Sequence, residues 1–197
     1  VEPGVIILAA GRGTRMEGRV KQLLPLAGRP LLQHVVDAAA AAGLEEIVVV
    51  TGHAADEVEA ALRLPPGART VRNPAYAEGQ AGSLAAGLAA VGPEAPAALV
   101  LLGDQPEVRP DAIRAVGALA GVAPLARATY GGRPGHPVLI GRTLWAELAG
   151  ARGDRGARGL LASRAELVRA VEVGGTPPED VDTPEAYERL LTRAGTR

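Results

Sequence analysis

The stretch that most constrains this chain is VIILAAGRGTRMEGRVK, residues 5–21: an unbroken apolar run, two alanines, then a glycine- and arginine-rich loop that ends in lysine. The β-branched run over residues 5–8 suits a strand buried on both faces, as in a parallel sheet covered by helices. Ala9, Ala10, Gly11 and Gly13 then carry little or no side chain, so a phosphate chain can approach their N–H groups. Glycines alone also fit an ordinary turn after a strand, so the anion reading leans on Arg12, Arg15 and Lys21 around that backbone. Lys21 is the single lysine among 21 basic residues. An ammonium is a compact point charge and a guanidinium a planar fork, so the two are not interchangeable against a reacting phosphate.

The totals bound the rest. At 197 residues the chain suffices for one α/β domain with a full core and is short for two. A formal charge of -1 and four aromatic residues give a nucleic-acid polymer neither a basic footprint nor stacking platforms. Without cysteine there are no disulfides, thiol nucleophiles or thiolate metal sites, which fits a reducing compartment. The VEPG start lacks a basic n-region and no apolar run approaches the roughly 20 residues of a membrane span, so the expectation is a cytoplasmic protein without a membrane partner.

Along the chain, a helix is expected over residues 30–42 with Pro30 in its first position, a buried strand over 46–51, a helix over 54–62 and a short strand over 70–72. Residues 73–82 read as a loop and 83–91 as a small-residue helix, before another buried strand over 97–102. Beyond it come a helix over 110–120, a strand over 125–129, the glycine-rich turn YGGRPGHP and a short strand over 137–140. Helices over 142–149 and 157–163, a strand over 166–173 and a helix over 183–193, capped by Thr183 with Pro184 first, complete the chain. Strands alternating with helices imply an α/β fold: a mostly parallel sheet with helices on both faces and ligands beyond the carboxyl ends of the strands.

That rule gathers the chemistry on one rim. Asp104, in LVLLGDQP, ends a buried strand, where a carboxylate must be exposed, paired or bound to a cation. Asp180 and Asp182 in EDVDTPEA are one residue apart and point the same way if extended. Asp104 with either of them would suffice for Mg²⁺, which takes few carboxylates, several waters and phosphate oxygens. Gly79 and Ser83, in GQAGSLAAGL, stand at an expected helix start, whose free N–H groups suit phosphates or ribose. His136 lies in the glycine-rich turn with no second histidine near in sequence and reads as a pocket residue. GDRGARGLL brings Asp154 and Arg158 with Arg155, and paired arginines can clamp a phosphorylated acceptor. A dinucleotide-dependent oxidoreductase is disfavoured: Met16 replaces the third small residue of its loop, and strand two ends in Thr51-Gly52-His53 without an acid for a ribose.

LAAGRGTRM with Lys21, VVVTGH, GQAGSLAAG, LLGDQP, GHPVL, GDRGAR and DVDTP occur in an order that resembles the nucleotidyltransferases of molybdenum cofactor synthesis. LAAG, VVVTGH and GDQP are most similar to the cytidylyltransferase branch. The likeness implies one MobA-like NTP transferase domain over residues 1–197 with a three-layer, Rossmann-like nucleotide-diphospho-sugar transferase fold. It implies Mg²⁺-dependent transfer of a cytidylyl group from CTP to the terminal phosphate of molybdopterin, with release of pyrophosphate. GTP as donor, another phosphorylated acceptor, and a non-catalytic cofactor-binding protein of the same fold remain open, as do transient contacts with molybdoenzyme maturation proteins. On this reading Leu8, Ala9, Ala10, Gly11, Arg12, Gly13, Lys21, Thr51, Gly52, Gly79, Ser83 and Asp104 face the nucleotide. Arg15, Lys21 and Asp104 are catalytic, Asp104 with Asp182 or Asp180 holds Mg²⁺, and His136, Asp154 and Arg158 face the acceptor. Two positions depart from the pattern: Glu17 stands where many members have glycine, and Gln80 where cytidylyltransferases often have methionine.

Overall fold

The apolar run becomes β1 (Gly4–Leu8), buried at every position and central to a seven-stranded sheet. This is a computed structural model that describes residues 2–150, 153 and 156–195. After the glycine loop, a two-stranded ribbon of β2 (Pro25–Leu26) and β3 (Arg29–Pro30) leads into helix α1 (Leu31–Ala41). Pro30 therefore caps α1 from outside instead of opening it, because its backbone is extended within the ribbon. Next come β4 (Ile47–Thr51), α2 (Ala55–Ala61), β5 (Ala68–Arg72), α3 (Gln80–Ala90), β6 (Ala97–Leu102) and α4 (Pro110–Gly117). Then β7 (Leu125–Tyr130), β8 (Arg133–Gly141), α5 (Trp145–Ala149), α6 (Gly156–Ser163), β9 (Val168–Glu172) and α7 (Pro184–Gly195) complete the described chain. Thr183 caps α7 as expected, its Oγ1 accepting the Ala186 N–H at 3.2 Å.

The sheet order is β5-β4-β1-β6-β8-β7-β9, parallel except for β8, which runs antiparallel between β6 and β7. Successive residues of the central strands feed opposite faces. Val5, Ile7, Val49 and Leu99 meet Leu32 and Val36 of α1 and Ile113 and Val116 of α4 on one side. Ile6, Val48, Val50 and Val100 meet Leu84 and Leu88 of α3 and Leu160 of α6 on the other. The result is the three-layer fold expected. A third cluster pins the loop: Met16, fully buried, packs with Leu24, Leu31 and the α7 residues Tyr187 and Leu190.

Two further expectations fail for local reasons. The YGGRPGHP segment is not one long turn; only Gly131 and Gly132 turn, and residues from Arg133 onward already run in β8. Glu172 organises that hairpin, accepting the N–H groups of Gly131 at 2.8 Å and Gly132 at 3.0 Å and the Thr129 hydroxyl at 3.0 Å. Pro134 and Pro137 are tolerated because β6 pairs only with Val138–Gly141, and the β7–β8 register shifts between Arg127 and Thr129, so no central ladder bond is lost. The second failure concerns α3, which starts at Gln80, three residues ahead of the expected Ser83.

Candidate active site

The carboxyl ends of β1 and β6 open into a cleft of about 980 Å³. Along one wall runs the glycine loop. The Gln22 amide donates to the carbonyls of Ala9 at 2.9 Å and Gly11 at 3.2 Å, which holds the start of the loop. A Cβ at Gly11 would meet nothing within 4 Å, so the space beside it is open cleft. Gly13 has φ +58°, a left-handed conformation that favours glycine, and a Cβ there would lie 3.3 Å from the Lys21 side chain, so glycine suits the close passage of lysine beneath the loop.

Lys21 is the centre of the charged cluster. Its Nζ donates to Asp104 Oδ2 at 2.6 Å and to Asp182 Oδ1 at 2.7 Å, while Arg15 holds the other Asp182 oxygen at 3.0 Å. The Lys21 and Asp104 side chains are only 11% and 16% exposed, against 31% for Asp182. Burial alone would lower the Lys21 pKa, but Asp104 and Asp182 outweigh it and hold the ammonium above its ordinary value. Burial raises the Asp104 carboxyl, and Lys21 offsets only part of that rise. Asp182, partly desolvated, is nonetheless drawn below the usual range by its bonds to Lys21 and the charge of Arg15. Chain connectivity makes this possible: the Val181 N–H donates to the Asp104 carbonyl at 2.9 Å, which brings the DVDTP segment alongside the end of β6. Asp180 then turns toward Gln105, whose amide nitrogen donates to its Oδ1 at 2.7 Å.

Two carboxylates converging on one cation are a donor set that suits a divalent ion. Among the described residues no cluster of three or more histidine, cysteine or acidic side chains gathers as a metal site. The pair is sufficient for an ion whose remaining ligands are waters and phosphate oxygens.

Leu8, Ala9, Ala10, Gly11, Arg12, Gly13, Arg15, Lys21, Gly79, Ser83, Asp104, His136, Arg158, Asp180 and Asp182 all line the cleft. Thr51 and Gly52 do not. Thr51 is fully buried with its hydroxyl donating to Glu59 at 2.7 Å, and a Cβ on Gly52 would lie 2.6 Å from Tyr76, which stands between it and the cleft. Ser83 reaches the wall from within α3, its Oγ accepting from the Asn73 amide at 2.9 Å, so it is not the terminus of the helix. Gly79 occupies that terminus with φ +114°, where a Cβ would strike the Gly153 backbone at 2.4 Å. Asp154 lies outside the described residues.

Sequence reasoning passed over Tyr76 and Arg127, which line the cleft together with Gln22, Gln80 and Gln105. Tyr76 lies under Arg12, with the guanidinium carbon 5.7 Å from the ring centroid, and its ring centroid is 6.0 Å from that of His53. The signal for Arg127 was its place in the strand: a charge between two alanines that turn the opposite way into the core. The far end of the cleft holds His136, pushed down to about 4 by burial and by the charges of Arg127 and Arg158, and therefore neutral near pH 7.

The glycine loop after a central strand, the acidic residues at the rim and the sheet order together define a domain of the Rossmann-like nucleotide-sugar transferase type. Comparison with known proteins makes this specific: residues 5–169 match the model of the MobA-like NTP transferase domain, and the chain belongs to that family. Among solved structures it is similar to Rv0371c from Mycobacterium tuberculosis H37Rv, at 35% identity and TM-score 0.87 over 98% of each chain. A second structure of Rv0371c is a complex with manganese; it is 33% identical with TM-score 0.83, over 98% of this chain and 99% of that one. A nucleotidyl transferase from Methanothermobacter thermautotroptrophicus matches at 27% identity and TM-score 0.81 over 99% of this chain and 98% of that one. Among curated proteins, the bifunctional protein GlmU of Sorangium cellulosum is 43% identical over 133 residues, 63% of this chain and 28% of that protein. The chain thus spans less than a third of the curated relatives it matches. Among the described residues no helix is long and apolar enough to cross a membrane.

Proposed function

We propose that this chain is a nucleotidyltransferase that moves a cytidylyl group from CTP to the terminal phosphate of a molybdopterin-type acceptor and releases pyrophosphate. The observation that carries the reading is the meeting of Lys21, Asp104 and Asp182 at one point beside an open glycine loop. In the reaction an oxygen of the acceptor phosphate forms a bond to the α-phosphorus of the nucleotide, and the bond from that phosphorus to the bridging oxygen breaks, so that pyrophosphate leaves with the electron pair. Such a step needs alignment and charge neutralisation more than covalent help. The N–H groups from Ala10 to Gly13, with Arg12 and Arg15, grip the triphosphate. Lys21 supplies positive charge where negative charge accumulates at the α-phosphate. Asp104 and Asp182 would hold Mg²⁺, which when bound neutralises phosphate oxygens and fixes their geometry. His136 and Arg158 face the acceptor.

A second reading keeps the transfer and changes the acceptor. It is favoured by the curated relative named above, which carries the name GlmU rather than one from molybdenum cofactor synthesis. Pyrophosphate release from each of the four NTPs with Mg²⁺, measured with molybdopterin, with a sugar phosphate and with neither, tests both. Release from CTP that requires molybdopterin supports the first reading. Release that is indifferent to molybdopterin moves the function to another acceptor, and no release from any NTP with either acceptor class overturns the transfer itself.

A further inference from the structure

Beyond the charged cluster at the loop, the cleft ends against β7 and α6, where Arg127 and Arg158 reach its wall. Arg127 is an unusual residue to find there. Its strand neighbours Ala126 and Ala128 are buried in the opposite core, which leaves the guanidinium directed to the cleft side of the sheet. Its Nε is buried and, among the described residues, has no hydrogen-bond partner. Neither Arg127 nor Arg158 forms an ion pair among those residues, whereas Arg72 and Arg193 are each shared between two carboxylates. Burial, and then the charge of Arg158, lower the Arg127 pKa, so two like charges sit close enough to oppose each other. His136 beside them is neutral and does not compensate. A desolvated guanidinium without an anion is costly, and the fold retains Arg127 in that state with the exposed Arg158 on the wall of the same cavity.

We propose that Arg127 and Arg158 form an anion clamp that binds a phosphate or carboxylate group of the acceptor. This deepens the transfer reading and rests on it for the word acceptor. The position separates this anion from the triphosphate: β7 lies two strands beyond β6, about 10 Å across the sheet from the strand that leads into Asp104. Leu161 and Pro177 offer an apolar wall beside the clamp for the organic body that carries the anion. Arg127 is therefore a binding residue for the acceptor, with a fork that matches an oxyanion.

The three histidines make the test direct. His136 reports on the clamp, His53 on the loop mouth near Tyr76, and His34, bonded to the Leu26 carbonyl at 2.8 Å, serves as a remote control. Inorganic phosphate and acetate are titrated separately into the full chain while the ring NMR signals are followed, in the wild type, Arg127→Met and Arg158→Gln. The expected result is a saturable shift of His136 with one of the two anions, weakened about ten-fold or more in each variant, with His34 unmoved. A response to phosphate assigns a phosphate group, and one to acetate alone a carboxylate. A His136 signal that ignores both anions, or that responds with equal affinity in both variants, overturns the clamp. An unchanged His34 signal in the variants shows that the fold is intact. Pyrophosphate release is measured on the same samples. Turnover without a His136 response removes the clamp alone, whereas a response without any turnover removes the transfer reaction and leaves the anion site.

Discussion

The two ends of the cleft are built on opposite electrostatic principles. At the loop end, Lys21, Asp104, Asp182 and Arg15 satisfy one another at 2.6 to 3.0 Å. At the β7 end, Arg127 and Arg158 face the same cavity without an anionic partner among the described residues, beside a histidine held neutral. The first arrangement is stable as it stands, and an incoming cation and phosphates must exchange partners with it. The second is held in tension by its neighbours and gains its partner only from a ligand. Stability therefore resides in the loop end, and deleting one charge at each end separates the two.

Lys21→Met removes the counter-charge of a deeply buried Asp104 and is expected to lower the unfolding free energy by about 3–5 kcal/mol, as for a broken buried pair. Arg127→Met removes a charge that no ion pair among the described residues offsets and is expected to leave stability unchanged or raise it. Chemical denaturation reads both, and losses of equal size would break the contrast. Turnover gives the next largest effect. Asp104→Ala is expected to cut pyrophosphate release by about 10²–10³-fold. Asp182→Ala should cost less, since Asp182 is the more exposed carboxylate, and Asp180→Ala least of all, since Asp180 is held by Gln105. A larger loss for Asp180→Ala than for Asp182→Ala would reverse the assignment of the cation ligands.

The loop end was legible because its chemistry is written in contiguous sequence. An unbroken apolar run fixes β1, the small residues after it can only line an open backbone, and a lone lysine stands out in an arginine-rich chain. Asp104 was readable from the end of its strand. The choice between Asp180 and Asp182 was not, since it depends on the Val181-to-Asp104 backbone bond that sets the phase of the segment. Thr51 and Gly52 looked like pocket residues because they end a strand on the same rim, but Thr51 is buried with its hydroxyl on Glu59, and Tyr76, distant in sequence, packs against Gly52. The far end was the least readable. Its floor depends on β8 passing antiparallel between two other strands, and the prolines that argue against a strand in that segment are accommodated only by an irregular register. Arg127 gave a local signal, an arginine between alanines in a buried strand, whose meaning appears only once Arg158 is seen to share its cavity.

Two pH experiments sharpen the comparison from the far end. His136 titrates at about 4 in the folded chain and near 6.5 when unfolded, so the unfolded state takes up a proton first as the pH falls. Stability from this residue is complete above pH 6.5 and is lost on acidification to pH 4, a loss of about 3 kcal/mol. His136→Gln should lack that component in denaturation curves, and a variant that retains the full pH slope would remove His136 as its source. The smallest effect belongs to the hairpin that carries this floor. The backbone N–H groups of Gly132 and Gly131 and the Thr129 hydroxyl hold the Glu172 carboxyl at about 2, below its ordinary 4.5. Its contribution is thus fully present above pH 4.5 and disappears as the pH falls toward 2. Glu172→Gln should lower the Tm by about 2–4 °C at pH 7, with the gap to wild type closing over that acid window. Because the residue is on the surface and anchors only the turn, His136 should still respond to anion in this variant. Loss of that response would mean that the floor of the cleft is positioned by the hairpin turn and not by the β6–β8 ladder.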